Sequence, residues 1–110
     1  MTTKRAPLAE PEASPGPVAD RRTRAWSRLT REIEACHSCP LSASRRHVVV
    51  FRGSLSARVL LVGEAPGADE DRTGIPFVGR SGRRLDAGLA SAGISPERVA
   101  ILNLIKCRPK

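Results

Sequence analysis

The sequence predicts an α/β domain, and three observations carry that prediction. Val59-Leu60-Leu61-Val62 is an unbroken apolar run with β-branched ends, suited to a central strand covered on both faces. Gly63 ends the run and Glu64 follows at once, a carboxylate at the carboxyl end of a strand, where open α/β sheets place their ligands. Farther along, a helical stripe is followed by a second apolar run, Val99 to Ile105.

Residues 1–19 hold Pro7, Pro11, Pro15 and Pro17 among small and charged residues. Such a segment buries too little apolar surface to offset its ordering entropy, so a disordered leader is expected there, with the domain over 20–110. The first helix is expected from Asp20 or Arg21 to about Cys36. Trp26, Leu29 and Ile33 form its apolar stripe, and Arg21, Arg22, Arg24, Arg28 and Arg31 cover much of the rest. Trp26 sits on that stripe and reads as core rather than as a platform for stacking bases. Val48-Val49-Val50-Phe51 reads as a strand, and Arg52 to Ser56 as the turn that leads to Val59.

After Glu64, Pro66 and Gly67 force a tight turn. Asp69, Glu70 and Asp71 follow, and taken alone they read as a solvated acidic tip. A second glycine–proline cluster, Gly74 to Gly79, then presents one aromatic ring, Phe77. So much specialised backbone around one carboxylate and one ring reads as a pocket. A helix is expected from about Ser81 to Ala92, with Leu85, Leu89 and Ala92 on one face and Gly93 as its cap. Amides at its start, near Arg80, Arg83 and Arg84, are suited to a phosphate. Ser95-Pro96-Glu97 starts one short turn. The third strand is Val99 to Ile105, and Asn103 is its anomaly. An amide in an apolar strand must bond a neighbouring loop or face a ligand.

The 110 residues suffice for one small domain. The formal net charge is +8, from 19 Lys+Arg against 11 Asp+Glu, and a basic surface favours a polyanionic partner, nucleic acid first. No apolar stretch approaches the roughly 18 residues of a membrane span, and no signal core follows the N-terminus, so a cytoplasmic monomer is expected. Cysteines in that compartment are reduced thiols or metal ligands. Cys36 and Cys39 have metal-ligand spacing at the end of a helix, and Cys107 is the third. A redox dithiol is the rival for the C-x-x-C pair, but it normally follows a strand.

Cys36-x-x-Cys39, Gly63-Glu64-Ala65-Pro66-Gly67, Pro76-Phe77-Val78-Gly79 and Asn103-x-x-Lys106-Cys107-Arg108-Pro109 together resemble the family 4, iron–sulfur uracil-DNA glycosylases. The resemblance runs in order from about Arg28 to Lys110. It implies a three-layer α/β/α sandwich around a short, largely parallel sheet. It implies hydrolysis of the N-glycosidic bond of uracil in DNA, leaving an abasic site. A [4Fe–4S] cluster is implied as well, with Cys36, Cys39 and Cys107 as three of its four ligands. In that family Phe77 would stack on the flipped base, and Asn103 would read uracil O4 and N3–H. Amides from Ala65 to Gly67, around Pro66, would bond uracil O2. Glu64 would line the pocket, and its part in activating water stays open. Arg80, Arg83 and Arg84 would meet DNA. The family's fourth cysteine and its His-Pro-Ser motif lie past the matched Cys-Arg-Pro, so the chain reads as the N-terminal part of such an enzyme. A non-catalytic DNA- or cluster-binding module is the alternative. A zinc site of Cys36, Cys39, Cys107 and His37 ranks third.

Overall fold

The computed structural model describes residues 16–110. Most of the expected leader lies outside that range. Pro17 to Ala19, expected to be disordered, instead form the first turn of helix α1, Pro17–Glu34. Proline suits that place, because the amide it lacks would have no helical partner there. Then come α2 (Leu41–Ser44), β1 (Arg52–Gly53), β2 (Val59–Gly63), α3 (Ala68–Thr73), α4 (Arg80–Ser91), a single 3-10 turn at Pro96–Arg98, and β3 (Val99–Asn103).

The sheet has the order β1-β3-β2, with β2 parallel to β3 and β1 antiparallel to it. The strand in the middle is therefore β3, not Val59–Val62 as the apolar run suggested. Val99, Ala100 and Ile101 are buried, whereas Val59, Leu60 and Val62 of β2 are each more than half exposed. An apolar run records burial or an uncovered face equally well. The short, mixed and only partly parallel sheet is consistent with an α/β domain whose helices cover it incompletely.

Val48 to Phe51 is not a strand. Val49 and Val50 are buried, but the segment crosses the sheet's end and Val49 N–H donates to Lys106 O at 2.8 Å. Pairing starts only at Arg52, opposite Ile101. β3 likewise stops at Asn103. Leu104 N–H and Ile105 N–H then donate to Gly63 O and Glu64 O, and the Leu104 side chain is 76% exposed.

The parallel register puts Gly63 beside Asn103. The two strands thus end together, and the loops that follow them share one edge. α1 has no fully buried residue. It is held to the body by the Trp26 ring, edge-on to Phe51 with centroids 4.9 Å apart, so Trp26 does pack rather than present a free face.

Candidate nucleic-acid base site and thiol cavity

A cavity of about 490 Å³ opens where β2 and β3 end. Glu64, Ala65, Gly67, Phe77, Arg80 and Asn103 are among its walls, so most of the residues singled out in the sequence come together there. Pro66 is buried behind the wall, and Arg83 and Arg84 lie outside on the exposed surface of α4.

Gly63 makes the convergence possible. A Cβ at that position would lie 2.4 Å from both Asn103 Oδ1 and Phe77 Cζ. Only a residue without a side chain lets the ring and the carboxamide approach the same point. Asn103 is 2% exposed, and among the described residues its carboxamide has no hydrogen-bond partner. The bond from this strand end to the Glu64 loop is made by backbone, from Ile105 N–H, and not by the Asn103 side chain. The carboxamide lines the cavity, so its donors and acceptor open onto that space rather than into the core.

Phe77 stands in the left-handed region at φ 57. For a bulky residue this costs on the order of 1–3 kcal/mol and persists only where neighbours over-determine it. Three of them do. Arg52 donates through Nε to Pro76 O (2.9 Å) and through Nη2 to Phe77 O (3.0 Å), and Nη2 also pairs with Asp86 at 3.0 Å. Gly82, in the first turn of α4, lies against the Phe77 carbonyl so closely that a Cβ would sit 1.8 Å from its oxygen. On the other side, Glu70 Oε2 accepts from Val78 N–H (2.9 Å) and Gly79 N–H (2.8 Å).

The acidic stretch is accordingly not a solvated tip. It forms α3, with Glu70 and Asp71 buried. Asp71 Oδ1 accepts from the amides of Arg46 (2.8 Å) and His47 (3.4 Å), fixing the crossing segment. Glu70 Oε1 accepts from Gly67 N–H at 2.9 Å. Burial opposes the charge on Glu70, but the amides of Gly79, Glu70 itself, Gly67 and Val78 outweigh it and hold the carboxyl below the ordinary glutamate range. Two expectations change as a result. The Gly67 amide is turned to Glu70 rather than to a ligand, and Pro66 has no amide, so of this loop's three residues only Ala65 keeps an uncommitted N–H among the described residues. The amides of Val78 and Gly79, which lead into α4, are likewise occupied by a carboxylate where a phosphate was expected. From sequence Glu70 and Asp71 read as a solvated tip and Arg52 as the start of a turn, which misses their part in building the site. The Gly67-x-x-Glu70 spacing of a capping box was the one available signal.

A second cavity, of about 310 Å³, is lined by Cys36, Cys39 and Cys107 together with Leu29, Ile33, Leu41 and Ile105. All three cysteines are free thiols. The Ser38 hydroxyl and amide hold the Cys36 thiol below its usual value against a small effect of burial, and Arg45 adds to this. Arg45 Nη1 donates to Cys36 O (2.7 Å) and to Cys107 Sγ (3.4 Å), so it already links the end of α1 to the segment after β3. Among the described residues no group of three or more His, Cys, Asp or Glu side chains is close enough to hold one ion. The His37 ring donates from Nδ1 to Ala35 O at 2.9 Å, so the four-ligand zinc site is not assembled. Cys36, Cys39 and Cys107 thus share the lining of one cavity without being gathered around a single point.

Residues 50–110 match the family model of the uracil DNA glycosylase superfamily. The chain belongs to that superfamily. Within it, the chain is similar to the Type-4 uracil-DNA glycosylase of Thermotoga maritima, at 47% identity over 81 residues, which are 74% of this chain and 42% of the relative. The Type-4 uracil-DNA glycosylase of Archaeoglobus fulgidus is 46% identical over 81 residues, 74% and 41% of the two chains. That of Pyrobaculum aerophilum is 43% identical over 82 residues, 74% and 42%. The chain thus spans about two fifths of the length of these relatives. The superfamily match covers β1 to β3 and with them every wall of the larger cavity. Among the described residues, no helix is long and apolar enough to cross a membrane.

Proposed function

We propose that this chain supplies the uracil-recognition half of a DNA glycosylase that hydrolyses the N-glycosidic bond of deoxyuridine and leaves an abasic site. The observation that carries the reading is the Asn103 carboxamide, held by an almost fully buried residue, lining the cavity and set beside the Phe77 ring over Gly63. A carboxamide offers one donor face and one acceptor face. Its N–H donates to uracil O4 and its oxygen accepts from N3–H, whereas cytosine presents the reverse pattern. A matched pair of this kind discriminates by about 1–3 kcal/mol. Phe77 stacks on the base once it has left the duplex, which offsets part of the few kcal/mol lost on unstacking. Ala65 N–H donates to uracil O2, where negative charge collects as the base leaves. Glu64 lines the same cavity, and on this reading its side chain would exclude the C5 methyl group of thymine. The exposed Arg80, Arg83 and Arg84 hold the phosphates of the strand from which the base is turned out.

On the same reading a [4Fe–4S] cluster would be held by Cys36, Cys39 and Cys107, which line the second cavity, together with a fourth ligand from outside these three residues; among the described residues the three thiols are not drawn close enough to hold one ion. Bound there, it would tie the end of α1 to the segment after β3, the same two parts that Arg45 joins. The base site lies apart from it, since no residue lines both cavities.

The test is Asn103→Asp in the complete glycosylase domain, assayed on matched oligonucleotides with uracil or cytosine at one position. An ionised Asp has only acceptors, so one oxygen opposes uracil O4 and the other accepts from the cytosine amino group. Uracil excision should fall at least tenfold and the bias against cytosine should shrink. Uracil excision at the unaltered rate would refute the assignment of Asn103.

A further inference from the structure

We infer that Glu70 is the positioning residue of the base site: a single buried carboxylate that spans the cavity wall and sets Phe77 at its distance from the Ala65–Gly67 loop. The inference rests on the uracil reading above and names the device that fixes its geometry.

The two carboxylate oxygens divide their work. Oε1 takes Gly67 N–H, on the loop that leaves β2, and Oε2 takes Val78 N–H and Gly79 N–H, on the turn that carries Phe77. Both segments line the same cavity. Glu70 reaches both because it lies one helical turn after Gly67, where a capping-box glutamate points back at the amide three residues before it. Arg52 holds the same turn from the other face, through the carbonyls of Pro76 and Phe77. The left-handed Phe77 is thus gripped by its carbonyl on one side and by the next two amides on the other. Only an anion with two oxygens satisfies three amides on two segments at once, since a carboxamide replaces one acceptor by a donor that opposes them. The Gly67 amide is thereby also withheld from the base, which leaves Ala65 N–H as the uncommitted amide of this loop among the described residues.

The experiment uses the 110-residue chain, isotopically labelled, as wild type and as Glu70→Gln, with Asp20→Asn on the remote α1 as a control for loss of one charge. Solution NMR reads three signals. The amide protons of Gly67, Val78 and Gly79 should lie downfield in the wild type, stay there through neutral pH, and move upfield together on acidification. In Glu70→Gln they should sit upfield at every pH. The nuclear Overhauser contact between the Phe77 ring and Gly63 Hα should be present in the wild type and lost in Glu70→Gln, while the β2–β3 contacts of Leu61 with Ile101 persist in both. Titration with free uracil should shift the Asn103 side-chain amide in the wild type, and Glu70→Gln should weaken that response at least tenfold. A merely structural glutamate would lower the melting temperature and leave the Phe77–Gly63 contact and the uracil response in place. That result overturns the inference, as do amides of random-coil shift at these three positions. A wild type that shows the clamp but no uracil response keeps Glu70 as a positioning residue and removes the uracil reading instead.

Discussion

Two glycines decide how the base site is shaped, and they should respond differently to one added methyl group. At Gly63 a Cβ meets the ends of two side chains, Asn103 Oδ1 and Phe77 Cζ, both at 2.4 Å. Those ends can swing away, so Gly63→Ala should cost about 1–3 kcal/mol of stability while closing the cavity to a base. At Gly82 a Cβ meets the Phe77 carbonyl itself, 1.8 Å from its oxygen and 2.1 Å from its carbon. Backbone pinned by Arg52 and Glu70 has nowhere to go, so Gly82→Ala should cost about 3 kcal/mol or more. Urea denaturation of both variants checks the order. A Gly82→Ala protein as stable as Gly63→Ala would mean that the Phe77 turn is free to shift. Gly63 is legible in the sequence as the residue that ends an apolar run, whereas Gly82 looks like an ordinary, slightly unfavourable helix residue. Its role depends on what lies against the helix, which no local pattern records.

Helix α3 is the element that the sequence conceals most fully. Six residues with three acids and no apolar stripe give no periodic signal. Its stability comes from Glu70 and Asp71 accepting backbone amides of other segments. That dependence has a pH signature. The Glu70 carboxyl is held below its ordinary value in the folded chain, so it contributes stability that is fully present above the unfolded value, about 4.3. The contribution is lost as pH falls through the lower folded value, where the native state must also take up the proton. Melting temperature should therefore drop on acidification below about pH 4.3 more steeply in the wild type than in Glu70→Gln, which has no proton to gain there. Parallel slopes for the two proteins would show that other carboxyl groups govern the acid limb. By contrast α4 needed no tertiary knowledge. Its stripe and Gly93 placed it within one residue of Arg80–Ser91, because an amphipathic helix writes its packing face into its own period.

For the whole molecule, the governing features are excess positive charge and a thin core. Among the described residues the buried aliphatic core is Val49, Val50, Val99, Ala100 and Ile101, and β2 and Leu104 leave apolar surface in the open. The net charge of +8 acts over a longer range than any of these contacts. Binding to DNA should weaken steeply as salt rises, each neutralised phosphate contributing about 0.9 to the slope of log K against log salt on duplex DNA. Replacing Arg83 and Arg84 together by alanine should lower that slope by about two while weakening binding equally on all sequences. A slope unchanged by the double substitution would place the DNA path elsewhere on the surface.

The sequence by itself determined what depends on neighbours along the chain. It placed α4 and its cap, the strand end followed by Glu64, and the exceptional positions of Phe77 and Asn103, and its motifs taken together carried the resemblance to the family 4 glycosylases. The tertiary structure decided what depends on neighbours across space. It made β3 rather than Val59–Val62 the central strand, because three apolar strand residues of β2 remain more than half exposed and an apolar run does not say on which side its cover lies. It left Val48 to Phe51 unpaired, since strand propensity cannot supply a partner. Above all it turned the acidic run inward. A carboxylate reads as solvated until three backbone amides from two other segments are brought within 3 Å of it, and only the closing of the chain around Gly63 and Phe77 does that.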